Sequence, residues 1–131
     1  MTIPMWCMLA GLFFPYVWAG ASLPLRLKQF DTIDLGSPRE QGANLLDAGA
    51  RVVGAQYNAW EALTVFALAN LIAFMAGLDA EGNWTLAAIL WVVFRLFHGV
   101  FYAANLRVLR IISFTGAFGM SLWIIAMAAT L

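Results

Sequence analysis

Four long apolar runs, separated by polar pieces of very unequal length, organise this chain. The runs cover residues 3–23, 55–78, 84–104 and 108–131. Each is close to the ~20 residues an α-helix needs to cross the hydrocarbon core of a bilayer. The first connection is the polar stretch "PLRLKQFDTIDLGSPREQGANLLDAGA", residues 24–50. The second is the acidic turn "DAEGN" and the third the very short "NLRV". The pattern predicts an all-α integral membrane protein, a bundle of four transmembrane helices forming a single domain over residues 1–131. Pro15 interrupts the first run, which a membrane helix tolerates because neighbouring groups re-satisfy the freed carbonyl. Asn44 is a suitable N-cap for a helix that starts at Leu45 and runs into the second span, projecting several turns past the bilayer.

Composition strengthens this picture. Hydrophobic residues make up 63% of the chain and charged residues 11%, where a soluble domain carries roughly a quarter charged. Seven basic and seven acidic residues give no net charge, so a nucleic-acid-binding surface is not expected. The single Cys7 reads as a small apolar filler in a helix. Trp6, Trp18, Trp84 and Trp123 read as interfacial or lipid-facing. "WAGAS" (18–22) has a faint likeness to a signal-peptidase site, but no basic residue precedes the apolar run, so a retained helix is expected.

Charge decides the orientation. The first loop and its flanks carry Arg26, Lys28, Arg39 and Arg51, and the third carries Arg107 and Arg110. Neither the second loop nor the ends of the chain carry Lys or Arg. By the positive-inside rule, loops one and three face the cytosol and both termini lie outside it.

Against this apolar background five polar residues stand out inside the spans. Asn58 and Glu61 lie on the second, and Arg95, His98 and Tyr102 on the third. At 100° per residue Asn58 and Glu61 are about 60° apart, with Arg51 on the same stripe. Glu61 lies roughly 15 Å along its helix from Arg51, and Arg95 roughly 18 Å from Arg107 on an antiparallel helix. The acid and the base therefore stand at one depth. A buried charge costs on the order of 3 kcal/mol on insertion scales, so the two are expected to meet each other, a wet cavity or a polar ligand. An ion pair that merely sets helix register is the plainer alternative. A small charged ligand suits the arrangement: arginine matches carboxylate and Glu61 matches an amine. Arg110 stands in the first turn of the fourth helix, where the dipole is already positive. That position favours an anion, including a thiolate. A small proton-coupled exporter is disfavoured, because the first helix carries no charge and Arg95 cannot release its proton.

The stretch "RVVGAQYNAWEAL" (51–63) resembles the second-helix signature of the MAPEG family, the membrane-associated proteins in eicosanoid and glutathione metabolism. "FRLFHGVFYAANLRVLR" (94–110) is similar to the third helix and following loop of its prostaglandin E synthase branch. The resemblance, to bacterial-type members, implies a homotrimer in the inner membrane with glutathione bound as co-substrate near the cytosolic face, and no metal. It implies glutathione contacts at Arg51, Asn58, Glu61, Arg95, His98, Tyr102 and Arg110, with Arg110 catalytic through the thiolate. The second partner would be a hydrophobic small molecule or lipid. Three positions depart from the pattern: Gly54 replaces a ligand arginine, Ile111 a serine and Phe114 a tyrosine. Two readings follow. One is a glutathione-dependent transferase or peroxidase for hydrophobic electrophiles; the other is a non-catalytic lipid-binding or scaffold subunit.

Overall fold

The computed structural model describes the whole chain, Met1–Leu131, as five helices and no strand. They are α1 (Ile3–Phe30), α2 (Pro38–Ala43), α3 (Asp47–Met75), α4 (Asn83–Ala103) and α5 (Arg107–Ala129). Four of the five, all but α2, are long and apolar enough to cross a bilayer. At 1.5 Å per residue, α1 and α3 are each over ~40 Å long and outreach a ~30 Å hydrocarbon core.

The first helix does not stop where the apolar run stops. It continues through Pro24 to Phe30 and ends on Asp31, whose left-handed backbone (φ 58°) lets its N–H donate to Leu27 O. A proline removes one hydrogen bond of the ladder, and side chains stiffen the turn around it. Ser22 Oγ donates to Ala19 O at 2.7 Å, and Arg26 Nε donates to Ser22 Oγ at 3.2 Å.

The connection that follows holds the short α2, and Asn44 closes α2 instead of opening α3. Its Nδ2 donates to Glu40 O at 3.1 Å. The long helix begins two residues later than the sequence suggests, at Asp47, with Leu46 at the cap. Gln29 explains the shift. Its Oε1 accepts from Leu46 N–H and its Nε2 donates to Asn44 O, both at 2.9 Å. The open N–H at the start of α3 and the open Asn44 carbonyl at the end of α2 are thus both engaged from α1.

Small residues set the helix spacing. Ala55, Ala59, Ala69 and Ala73 on α3, Ala87 and Ala88 on α4, and Ala117 and Ala128 on α5 are all buried. Without a hydrophobic drive between helices in lipid, such residues let backbones approach closely. α1 packs chiefly on α3, and α4 chiefly on α5. Phe66 and Trp91 stack at 3.9 Å between ring centroids in the middle of the core. Two of the tryptophans differ from expectation. Trp84 is buried and its Nε1 donates to the equally buried Asn70 Oδ1 at 2.8 Å, because α4 docks its first turn against α3. Trp18 lies against the backbone of Gly99, in the space a side chain there would fill.

Candidate functional site

The polar stripes of α3 and α4 meet at the bundle's basic end. Arg95 is 3% exposed and His98 2% exposed. Arg95 Nη2 donates to Asn58 O at 3.1 Å, while its Nε and Nη1 have no partner. Asn58 Oδ1 and His98 Nδ1 are also buried without one. Asn58 Nδ2 reaches Glu61 Oε2 at 3.5 Å, a marginal contact. The expected meeting of acid and base is therefore indirect. Glu61 and Arg95 line one cleft but make no hydrogen bond to each other, because Arg95 has turned to the backbone of α3.

That cleft opens between α3 and α5 with α4 behind it. Its remaining walls are Ala62, Val65, Trp91, Phe114, Ala117, Phe118 and Ser121. Of these seven only Phe114 stood out in the sequence, as a departure from the family pattern; the five other apolar walls carry no signal in an apolar helix. The alanines leave the space, and the Phe66–Trp91 stack makes one wall rigid. Phe114 and Phe118 stack nearly parallel at 6.3 Å along the open side. Glu61 itself is exposed on the outer face of α3.

A second polar group adjoins the first. The His98 ring meets Tyr102 edge-on at 5.7 Å and Phe114 at 6.1 Å, so it bridges the cleft and the loop end of α4. The Arg110 guanidinium lies over the Tyr102 ring, 4.5 Å from its centroid, a cation–π contact. Arg51 does not line the cleft. Its Nε donates to Ala103 O at 3.1 Å and so caps α4, where a cation suits the helix dipole.

Two of the departing positions have a structural correlate. A Cβ placed on Gly54 would lie 2.6 Å from Tyr102 Oη, so the absence of a side chain there is what admits the phenol. Ile111 is exposed, and the nearest serine, Ser113, turns inward and donates to Leu109 O and Arg110 O. No group of three His, Cys, Asp or Glu side chains converges to hold a metal ion.

The sequence profile of the MAPEG family matches residues 3–130. The chain belongs to the MAPEG family. This MAPEG protein is an integral membrane protein of four apolar helices, of the eicosanoid and glutathione metabolism type. No curated protein and no solved structure matches it individually.

Proposed function

We propose that this MAPEG protein is a membrane-embedded transferase or peroxidase that joins a glutathione-like thiol to hydrophobic electrophiles. One observation carries the reading: a nine-tenths-buried arginine with two unpartnered N–H groups beside an apolar cleft that also holds a carboxylate. Each unsatisfied buried donor costs about 1–3 kcal/mol. A ligand that accepts from Arg95 and donates an ammonium to Glu61 removes that cost, and the α-amino acid end of a glutathione-like molecule does both. Asn58 and His98 offer further partners.

Arg110 and Tyr102 adjoin the cleft through the His98 ring, and a thiol sulfur would be held beside them. Arg110 lowers the cost of the thiolate, which is the nucleophile. In the transferase reaction the thiolate forms a C–S bond as the leaving group departs or an epoxide opens. In the peroxidase reaction it takes one oxygen of a hydroperoxide, releasing the alcohol, and a second thiol gives disulfide and water. The apolar walls from Val65 to Phe118 suit an electrophile arriving through the bilayer.

The exposure of Glu61 in mid-span supports assembly. A carboxylate facing lipid is costly, and a neighbouring copy in a homotrimer would cover it. The positive-inside rule supports a topology with the basic end in the cytosol and both termini outside. A bacterial inner membrane is the proposed location.

Glutathione titration by calorimetry in detergent tests the reading. Wild type is expected to bind at millimolar ligand or below, Glu61→Gln more weakly, and Arg110→Ala to bind without forming thiolate absorbance. No heat of binding at millimolar glutathione would refute it. The second reading, a non-catalytic lipid-binding or scaffold subunit, is favoured by the Tyr102 phenol filling the Gly54 position and by the inward turn of Ser113. Binding with no thiolate in the wild type would decide for it.

A further inference from the structure

The cleft that holds Glu61 and Arg95 is not apolar to its end. α3 and α5 run away from the basic end of the bundle and α4 runs toward it. Among the cleft walls, Val65 therefore stands one turn deeper than Glu61, Trp91 one turn deeper than Arg95, and Ser121 two turns deeper than Phe114. Ser121 sets a hydroxyl at this far end. We infer that Ser121 determines specificity: its hydroxyl bonds an oxygen of the electrophile roughly 10 Å from the carbon that the thiolate attacks. The inference rests on the proposed transferase reading. It narrows the second substrate to long hydrophobic electrophiles that carry a hydroxyl or carbonyl at that distance.

Three observations support it. First, the Ser121 hydroxyl is buried and poorly bonded. The residue is 1% exposed, and its Oγ donates to Ala117 O at 3.4 Å, beyond the ~2.5–3.0 Å of an ordinary hydroxyl hydrogen bond. The two other buried serines bond back to their helices within the normal range. Ser22 Oγ donates to Ala19 O at 2.7 Å, and Ser113 Oγ to Leu109 O at 2.8 Å. A buried hydroxyl left short of a partner is costly, and a ligand oxygen relieves that cost. Second, Ser121 lines the same cleft as Glu61 and Arg95, so a ligand held by those two charges shares its space. Third, the spacing suits one extended molecule. The proposed thiol position adjoins the His98 ring, which meets Phe114 at 6.1 Å. From Phe114 to Ser121 the α5 backbone rises roughly 10 Å, and the stacked Phe114 and Phe118 rings lie along that path. An extended chain attacked at the Phe114 end brings a distal oxygen to Ser121.

The α,β-unsaturated aldehyde decenal and its ω-hydroxy derivative test this, with hexenal and ω-hydroxyhexenal as the short pair. The glutathione thiolate forms a C–S bond to the β-carbon, the electron pair of the C=C bond shifts to the α-carbon, and one proton is taken up there; no group departs. In extended ω-hydroxydecenal the hydroxyl lies from the β-carbon at about the distance from Phe114 to Ser121; in ω-hydroxyhexenal it falls well short. Loss of the conjugated aldehyde's absorbance, above the uncatalysed reaction, gives kcat/KM in detergent. In wild type the ratio of hydroxylated to plain substrate is expected to be higher for the ten-carbon pair than for the six-carbon pair. Ser121→Ala should lower the ten-carbon ratio about 3- to 10-fold, the worth of one neutral hydrogen bond, and leave the six-carbon ratio unmoved. A ten-carbon ratio that survives Ser121→Ala overturns the inference. So does an equal fall in both ratios, which would report a change of packing. No conjugation of any of the four aldehydes by wild type refutes the transferase reading itself, and the selection falls with it.

Discussion

Replacing Arg95 by methionine separates stability from function at the proposed thiol site. The substitution keeps length and most of the volume while deleting the guanidinium. Without ligand, wild-type Arg95 has one hydrogen bond, to Asn58 O, and leaves Nε and Nη1 unpaired in a site only 3% exposed. Losing the charge-assisted bond costs about 1.5–3 kcal/mol, and the two unpaired donors each cost about 1–3 kcal/mol in the wild type. Burying the charge adds on the order of 3 kcal/mol more. The balance favours methionine by roughly 2–7 kcal/mol in the empty protein. Thermal unfolding in detergent, followed by circular dichroism without thiol, is expected to show Arg95→Met melting several degrees above wild type. Millimolar glutathione should raise the wild-type midpoint and leave the variant unmoved. An empty variant that melts below wild type would refute the reasoning, because the guanidinium would then already be satisfied.

Three further outcomes are expected. Gly54→Ala forces the Tyr102 phenol from its seat and off Arg110, at about 1–2 kcal/mol from the cation–π contact alone; in a Tyr102→Ala background that cost should vanish, as a double-mutant cycle on unfolding reads directly. Trp84→Phe leaves the buried Asn70 Oδ1 without its 2.8 Å donor and should destabilise by about 1–3 kcal/mol, whereas Trp123→Phe, with its half-buried ring, should cost less in the same assay. Ala117→Leu fills the cleft between Trp91 and Phe118 and should lower turnover of bulky electrophiles far more than the affinity for glutathione, measured by steady-state kinetics beside calorimetry.

The four spans and the polar stripes were legible because both are contrasts: long apolar runs between polar loops, and charges within apolar runs. Asn58, Glu61, Arg95 and His98 stood out for that reason, and the structure brings them to one place. What was not legible depends on partners far away in sequence. Arg51 sits on the right stripe, yet it caps α4 through Ala103 O, a contact that only the folded bundle defines. Gly54 reads in sequence as an absent arginine; in the fold it is the seat of Tyr102. Trp84 is as apolar as any belt tryptophan, and its burial follows from Asn70 lying opposite. Likewise α1 outlasts its apolar run because Gln29 finds partners at Asn44 and Leu46, which hydropathy does not reveal.

The Gln29 latch also bears on how the chain is made. Both of its partners, and α1 and α3 themselves, lie within the first 75 residues. The first two membrane helices can therefore fasten to each other while the ribosome is still translating α4. Glu61 enters the bilayer during that interval without Arg95 beside it, held only by the neighbouring Asn58. The cleft can be completed only when the second hairpin arrives and Arg95 meets the carbonyl of Asn58. A lesion in the latch would then show first as slow or failed insertion, with the cleft chemistry of surviving molecules unchanged.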